Sequence, residues 1–144
     1  MAYILVKGEK FYDICDLIQH VKKTPQIAEC GAIYSFEGIV RGKEPGKTTQ
    51  KMKLSTPLKD NCQKELEEII NDIKDKYGVM DIAVVHYLGE FQVGDSLFLV
   101  AVAGSHRGET KKALSEIVER VKYELDFKKE EYTDGGTNII MSGG

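Results

Sequence analysis

Hydrophobic residues recur at helical spacing in three stretches of the chain, and each stretch predicts an amphipathic helix. The first helix is predicted at 11–21, because Pro25 prevents its continuation. The second begins at Thr56, a suitable N-cap, and ends at Gly78, a suitable C-cap. The third follows Ser105, which we expect to cap it. One face of each helix is therefore expected to pack inward.

Apolar, β-branched stretches alternate with these helices and predict short strands. The two most regular are 81–87 and 96–103, joined by a tight connection that contains glycine. Further strands are predicted at 3–6, 31–40, 51–55, 130–133 and 138–141. Because helices and hairpins are mixed along the chain, we predict an α+β fold with three helices and a mixed, largely antiparallel sheet, not a doubly wound parallel sheet.

The segment after strand 31–40 predicts a basic surface loop. The strand contains Gly38, which marks a bulge or a close backbone approach, and it delivers Arg41 to its end. Residues 41–51 then hold two glycines, one proline and four cations without apolar periodicity, which favours a mobile loop. Such a loop beside Arg41 is a candidate for closing over a small anion.

Composition narrows the class of protein. The 144 residues are 42% hydrophobic, enough for the core of one domain, which we predict to span 1–144. A formal charge of −3 argues against a general affinity for nucleic acid or anionic membranes. The apolar run at the start is too short for a signal peptide, and no run approaches the roughly 20 residues of a membrane span. We therefore expect a cytoplasmic protein.

The sequence carries no motif for a metal or an organic cofactor. Cys15, Cys30 and Cys62 are far apart and lack a C-x-x-C pair, so we expect buried thiols in a reducing compartment. His86 lies in an apolar strand and is interpreted as a core or strand-edge histidine, since no H-x-x-x-H accompanies it. The glycine-rich fingerprints of dinucleotide and nucleoside-triphosphate sites are also absent. We expect neither metal nor cofactor.

Cations surround the third helix. His106 and Arg107 stand where it begins, and unpaired N–H groups make a helix start a favourable place for an anion. Lys122 lies near its far end, and Lys129 lies beyond it. A lysine becomes a base or nucleophile at neutral pH only when burial and neighbouring cations lower its pKa. Two interpretations stay open: ordinary surface cations, or a site that gathers these residues and Arg41 around a small anionic substrate.

Four segments of the chain together resemble one known family. They are GAIYSFEGIVR at 31–41, VVHYLGEFQVGD at 84–95, AGSHR at 103–107 and VKYELDFKKEE at 121–131. Each motif is loose, but their order and spacing resemble the large, catalytic subunit of molybdopterin synthase over almost the full chain. The resemblance implies the α/β-hammerhead fold of that subunit.

The resemblance also implies roles for the matched positions. His106 and Arg107 fall on a pair that binds phosphate, and Lys122 and Lys129 fall on two catalytic lysines at the reaction centre. Lys122 is expected to assist at the carbon that receives sulfur, and Lys129 is expected to hold the carboxylate of the donor tail. The residues that the resemblance assigns to substrate binding are Ile39, Val40, Arg41, His106, Arg107, Lys122, Lys129, Glu130 and Glu131.

Members of this family are sulfurtransferases that convert cyclic pyranopterin monophosphate to molybdopterin in molybdenum cofactor biosynthesis. The two sulfurs come from a thiocarboxylate at the C-terminal Gly-Gly of a small ubiquitin-like subunit. A homodimer of large subunits carries one small subunit at each end, a heterotetramer in which the second protomer helps to complete each pocket. The alternative for this chain is a non-catalytic interaction module of the same fold that binds a ubiquitin-like sulfur carrier or a phosphorylated ligand.

The chain departs from the family pattern near the implied site. Tyr87 replaces the usual arginine after the histidine, Asp126 and Lys128 replace the usual proline and tryptophan, and Glu130 stands where a second cation is common. The sequence also ends without the longer tail typical of the family. Its final Gly143-Gly144 resembles the end of a sulfur carrier, but a Gly-Gly dipeptide alone does not assign that role.

Overall fold

The computed structural model of the chain describes residues 1–141, so the terminal Gly143-Gly144 lies outside the described residues. Within this range the three helices are α1 (Ile14–Lys22), α2 (Lys59–Tyr77) and α3 (Arg107–Glu124). The strands are β1 (Ala2–Val6), β2 (Ala32–Ile39), β3 (Lys43–Glu44), β4 (Lys47–Ser55), β5 (Asp81–Gln92), β6 (Ser96–Gly104), β7 (Lys128–Thr133) and β8 (Gly136–Met141).

The strands form one sheet in the order β2-β6-β5-β4-β7-β8, with β1 beside β5 and β3 beside β4. Every pairing between the described strands is antiparallel except that of β1 with β5, which is parallel. The long strand β5 joins the two halves of the sheet, because residues 81–86 pair with β6 and residues 89–92 pair with β4. The predicted α+β class with a mixed, largely antiparallel sheet is confirmed.

The core lies where the central strands β5 and β6 are covered by helices. Residues 82–85 and 98–103 are at most 5% exposed at every position, so both faces of the sheet are covered here. This explains why these strands read as continuous apolar runs instead of alternating patterns. Helices α1 and α3 contact β6, and α2 packs against α3 and β1. None of the described helices is long and apolar enough to cross a membrane.

The first helix begins later than its apolar pattern predicts. The Asp13 side chain accepts a hydrogen bond from the Asp16 N–H at 2.9 Å, and the Asp13 N–H donates to the Asp16 carboxylate at 2.9 Å. This capping box satisfies backbone donors that the helix itself leaves unpaired. The start predicted at residue 11 is therefore too early, and α1 begins at Ile14.

Two predicted caps are wrong and one is confirmed. Thr56 does not cap α2, whose N-cap is Leu58, because the Thr56 hydroxyl lies 3.3 Å from Cys62 Sγ instead. Ser105 does not cap α3, whose N-cap position falls one residue later. Gly78 does end α2 with a left-handed φ of 65°, a conformation that favours glycine over other residues.

The prediction of a mobile loop at 41–51 is wrong, because most of this segment is a hairpin of β3 and β4. Lys43 and Glu44 pair with Thr48 and Lys47, and the turn between them contains Pro45 and Gly46. Proline followed by a glycine with φ of 77° suits the two central positions of a type II turn. Strand β4 then pairs with both β5 and β7, which fixes the hairpin against the sheet.

The three cysteines have no disulfide partner. Cys62 is buried and Cys30 is partly buried, but Cys15 is exposed on α1. The expectation of buried thiols is therefore wrong for Cys15, whose position on the short first helix faces away from the core.

Candidate active site

A cavity of about 820 Å³ lies between the end of β2, the β3–β4 hairpin, β7 and the last turns of α3. Its buried part, which we call the aromatic floor, is formed by His86, Phe98 and Phe127. Its charged lining consists of four cations and three carboxylates: Arg41, Lys47, Lys122, Lys129, Glu44, Glu119 and Glu131. The cavity thus joins an apolar surface to a surface with an excess of positive charge.

The end of β2 contributes the predicted residues Ile39, Val40 and Arg41 to the cavity lining. The pairing of β2 with β6 shifts register between Gly38 and Ile39, which confirms the predicted bulge. After the bulge, the Val40 N–H donates to the Asp95 carbonyl at 3.0 Å, and Val40 is 4% exposed. Arg41 is therefore held at the backbone, while its side chain, 71% exposed, reaches the mouth of the cavity.

The two predicted catalytic lysines reach the cavity from different elements. Lys122 lies in the last turn of α3 and is exposed, with its Nζ 5.9 Å from the ring centroid of Tyr123. The helix ends at Glu124, and the chain enters β7, where the Lys129 side chain is 22% exposed. The fold therefore brings both lysines and Arg41 to one cavity, three of the five cations that the second of our two interpretations gathers.

Glu131 is a buried carboxylate held between two lysines. Its side chain is 8% exposed, one oxygen lies 3.2 Å from Lys129 Nζ, and the other accepts a short hydrogen bond from Lys47 Nζ. Burial raises the pKa of Glu131, but the hydrogen bonds from Lys47 and Lys129 outweigh it and hold the pKa below its usual range. Glu131 is therefore ionised at neutral pH and orients Lys129.

Glu44 extends this ion-pair arrangement to Arg41. Its carboxylate accepts from Arg41 Nη2 at 2.7 Å and lies 2.9 Å from Lys47 Nζ. The hydrogen bond from Lys47 is the main cause of a lowered pKa of Glu44. Consecutive ion pairs therefore link five side chains, in the order Arg41, Glu44, Lys47, Glu131 and Lys129.

The sequence pattern does not single out Lys47 and Glu44 as site residues, because they fall in the segment that predicts a mobile loop. The Pro45-Gly46 pair between them was a usable signal, since it predicts a tight turn that places its flanking residues opposite one another. The pairing of β4 with β7, which brings Lys47 to Glu131, has no comparable signal in the sequence.

His106 and Arg107 do not line this cavity. They stand at the start of α3, and Lys122 lies 15 residues further along, roughly 22 Å away at a rise of about 1.5 Å per residue. The His106 side chain is 81% exposed, while its carbonyl accepts from the Thr110 hydroxyl at 2.6 Å. Within one chain the predicted phosphate-binding pair is therefore separated from the predicted lysines.

Glu130 does not line the cavity either. Successive side chains on a strand point to opposite faces, so Lys129 and Glu131 share the cavity face of β7 and Glu130 points to the other. There it lies 3.0 Å from Lys128 Nζ and accepts from the Tyr132 hydroxyl at 3.2 Å. Its predicted part in substrate binding has no geometric support within this chain.

His86 is a neutral member of the aromatic floor. Its ring lies 4.9 Å from the Phe98 ring and 4.5 Å from the Phe127 ring, measured between centroids, and the residue is 5% exposed. Burial lowers the pKa of His86 to about 4, although a hydrogen bond to the Tyr87 carbonyl opposes this. Since a carbonyl only accepts, Nδ1 carries the proton at 3.0 Å from that oxygen, and Nε2 is an acceptor.

The cavity is equipped for anion binding and proton transfer. Among residues 1–141, no group of three or more His, Cys, Asp and Glu side chains is placed to hold a metal ion. Its carboxylates Glu44 and Glu131 are already paired with cations. Arg41, Lys122 and Lys129 also line the cavity, and their cationic groups suit a carboxylate, thiocarboxylate or phosphate.

The chain matches known proteins along most of its length. The family model described as MoaE protein matches residues 9–124. The molybdopterin synthase catalytic subunit of Pyrococcus abyssi is 32% identical over 132 residues, which cover 92% of this chain and 86% of that protein. The crystal structure of molybdopterin synthase from Staphylococcus aureus superimposes with a TM-score of 0.79 at 24% identity, covering 96% of each chain.

A further solved neighbour is the complex of subunits 1 and 2 of molybdopterin-converting factor from Helicobacter pylori. It has a TM-score of 0.70 at 22% identity and covers 93% of this chain and 87% of that one. At these identities the two solved structures support the fold, while the family model and the Pyrococcus relative carry the assignment. The chain therefore belongs to the MoaE protein family, the family of molybdopterin synthase catalytic subunits.

Proposed function

We propose that this chain is the catalytic subunit of a molybdopterin synthase, a sulfurtransferase of molybdenum cofactor biosynthesis. Cyclic pyranopterin monophosphate receives two sulfurs from the C-terminal thiocarboxylate of a small ubiquitin-like subunit and becomes molybdopterin. The observation that carries this proposal is the cavity that gathers Arg41, Lys122 and Lys129 from three parts of the fold beside an apolar floor.

Both reactants suit such a cavity. The substrate joins a flat heterocycle to an anionic phosphate, and the aromatic floor and the cationic lining offer a surface for each part. The donor tail is an anion before transfer, as a thiocarboxylate, and again afterwards, as a carboxylate, once water has cleaved its acyl–sulfur bond. Fixed cations along its path therefore favour both forms of the tail.

The two lysines suit different tasks. Lys129 is held by Glu131, so its ammonium has a defined position from which to bind the carboxylate of the donor tail. Among the described residues Lys122 forms no ion pair, and its Nζ lies 5.9 Å from the centroid of the Tyr123 ring, so it can turn toward a substrate. In our proposal the bound substrate and the second protomer bury Lys122, which then transfers a proton at the carbon that receives sulfur.

His106 and Arg107 enter our proposal through a second copy of the chain. Because roughly 22 Å of helix separates them from Lys122, they join a phosphate near that lysine only from another protomer. Both side chains are exposed, so a second protomer can contact them. We therefore propose a homodimer in which His106 and Arg107 of one copy complete the cavity of the other.

The proposed assembly is a heterotetramer, with one small subunit on each large subunit. The two-subunit complex from Helicobacter pylori supports a small-subunit partner for this chain. We place the enzyme in the cytoplasm, where thiols stay reduced, because all three cysteines are unpaired. It needs no metal or organic cofactor of its own, since the sulfur arrives on the partner.

The experiment is formation of molybdopterin from cyclic pyranopterin monophosphate and thiocarboxylated small subunit, comparing native protein with Lys122→Ala. We expect the variant to lose about 10²–10⁴-fold in kcat, the usual contribution of a positioned acid or base. Lys64→Ala removes an exposed lysine on α2, away from the cavity, and is expected to stay fully active. Undiminished turnover by Lys122→Ala would remove the central role of this lysine.

The same experiment separates the enzyme from the non-catalytic module. A native protein that binds the small subunit, measured by calorimetry, but forms no product in the assay would favour the module. In that case Lys122 is exposed in the functional protein as well, and its exposure does not mean that the site lacks a substrate or a second protomer.

A further inference from the structure

Lys47 occupies a central position that the proposed function does not use. Its Nζ lies 2.9 Å from Glu44 Oε1 and donates to Glu131 Oε2, so it bridges the two carboxylates. Within residues 1–141, it is the only side chain that forms ion pairs with both of them. Lys47 is 26% exposed and lines the cavity.

Each carboxylate uses its second oxygen for one of the cations assigned to substrate binding. Glu44 binds Arg41 through Oε2 at 2.7 Å, and Glu131 binds Lys129 through Oε1 at 3.2 Å. Lys47 occupies the remaining oxygen of each, Oε1 of Glu44 and Oε2 of Glu131. Lys47 therefore links the two carboxylates that hold Arg41 and Lys129.

The backbone makes this bridge rigid. Glu44 and Lys47 are paired across the turn of the β3–β4 hairpin, with Pro45 and Gly46 between them. Proline restricts the turn before folding, and the φ of 77° at Gly46 suits glycine, so the two side chains emerge at a fixed spacing. Lys47 then reaches Glu131 on β7, the neighbour of β4 in the sheet.

We propose that Lys47 is a positioning residue for sulfur transfer: by holding Glu44 and Glu131, it presents Arg41 and Lys129 to the cavity at a fixed separation. This inference rests on the proposed function. Without Lys47, each carboxylate has a free oxygen and draws its remaining cation into a closer pair. Arg41 and Lys129 then turn away from the cavity and toward Glu44 and Glu131. The C-terminal tail of the small subunit and the pterin substrate bind less well as a result.

Removal of Lys47 also changes the ionisation of its partners. Burial favours the neutral form of Glu131, while Lys47 from β4 and Lys129 from β7 favour the charged form. Glu44 from β3 is the nearby like charge, and Glu119 and Lys122 from α3 line the same cavity. Without Lys47, the pKa of Glu131 rises. As the pH is lowered, activity is therefore lost at a higher pH than in the native protein.

The test compares Lys47→Met with Lys53→Met in the synthase assay with thiocarboxylated small subunit. Lys53 is exposed on the same strand outside the cavity, and its loss changes the net charge equally. We expect Lys47→Met to lose at least tenfold in kcat/KM and to shift the acidic limb of the pH–rate profile upward. Lys53→Met is expected to keep the native values, and Lys47→Arg is expected to recover most of the loss. A structural role alone would lower thermal stability without moving the pH profile.

Glu44→Gln provides a second variant should Lys47→Met fail to fold. It removes the ion pairs of Glu44 with Arg41 and Lys47 and keeps those of Glu131, so we expect the KM for the pterin substrate to rise several-fold without the upward shift of the acidic limb expected for Lys47→Met. Unaltered kinetics in folded Lys47→Met, or in Glu44→Gln if the first variant does not fold, would overturn the role of Lys47. Absence of product with the native protein would instead overturn the proposed function, and this inference with it.

Discussion

Protonation of His86 is expected to destabilise the folded protein below pH 6.5. The ring is 5% exposed between Phe98 and Phe127, and burial lowers its pKa from the ordinary 6.5 to about 4. Because the folded pKa is the lower one, the unfolded chain binds this proton first as the pH falls. The stabilising contribution of neutral His86 is complete above pH 6.5 and is lost progressively toward pH 4.

The size of the effect follows from the two pKa values. Each unit of pKa difference between the folded and unfolded states corresponds to about 1.36 kcal/mol. The full difference, between 6.5 in the unfolded chain and about 4 in the folded protein, is reached only below the folded pKa. Between pH 7 and pH 4 the free energy of unfolding should therefore fall by about 3 kcal/mol through His86 alone. This is a large share of the stability of an ordinary domain, roughly 5–15 kcal/mol.

The assay is urea unfolding, followed by circular dichroism at several pH values from 7 to 4, of the native protein and His86→Phe. Phenylalanine keeps an aromatic ring between Phe98 and Phe127 but cannot be protonated. Carboxylates such as Glu131 titrate in both proteins, so the difference between the two curves isolates His86. Curves that stay parallel within about 1 kcal/mol, the usual error of such extrapolations, would refute the reasoning.

Two further predictions concern local packing and capping. Gly104→Ala should lower the free energy of unfolding by about 1–3 kcal/mol, because the new Cβ would lie 2.3 Å from Thr110 Oγ1. Gly108→Ala is the control: a Cβ at this position in α3 meets open space, so the change should be neutral or stabilise by up to about 1 kcal/mol. Equal effects in chemical denaturation would contradict this. Asp13→Ala breaks the capping box of α1 and should cost about 1 kcal/mol, seen as a lower melting temperature. Asp60→Ala, in the first turn of α2, where the N-cap Leu58 makes no side-chain cap bond, should change the melting temperature less. No difference in melting temperature between these two variants would show that the Asp13 bonds do not stabilise α1.

Local patterns predicted most of the secondary structure, since each depends on residues close in the chain. Apolar residues at helical spacing located all three helices, and β-branched runs located β5 and β6. Of the hairpin at 43–55, only residues 51–55 were predicted as a strand. The first residues of β4 are all polar, so they show no alternation of apolar and polar side chains, and their strand conformation depends on pairing with neighbouring strands. The N-cap predicted at Thr56 is wrong for a similar reason, because its hydroxyl lies near the Cys62 thiol, a tertiary neighbour.

The sequence by itself determined the fold class, the family and the cavity residues Arg41, Lys122 and Lys129, because motifs and periodicity are properties of the chain. Only the tertiary structure decided which of the matched residues share a cavity. The pairing of β4 with β7 brings Lys47 to Glu131, while the length of α3 keeps His106 away from Lys122. The physical reason is that ion pairs and cavities depend on distances between elements, which strand pairing and helix packing set and sequence spacing does not.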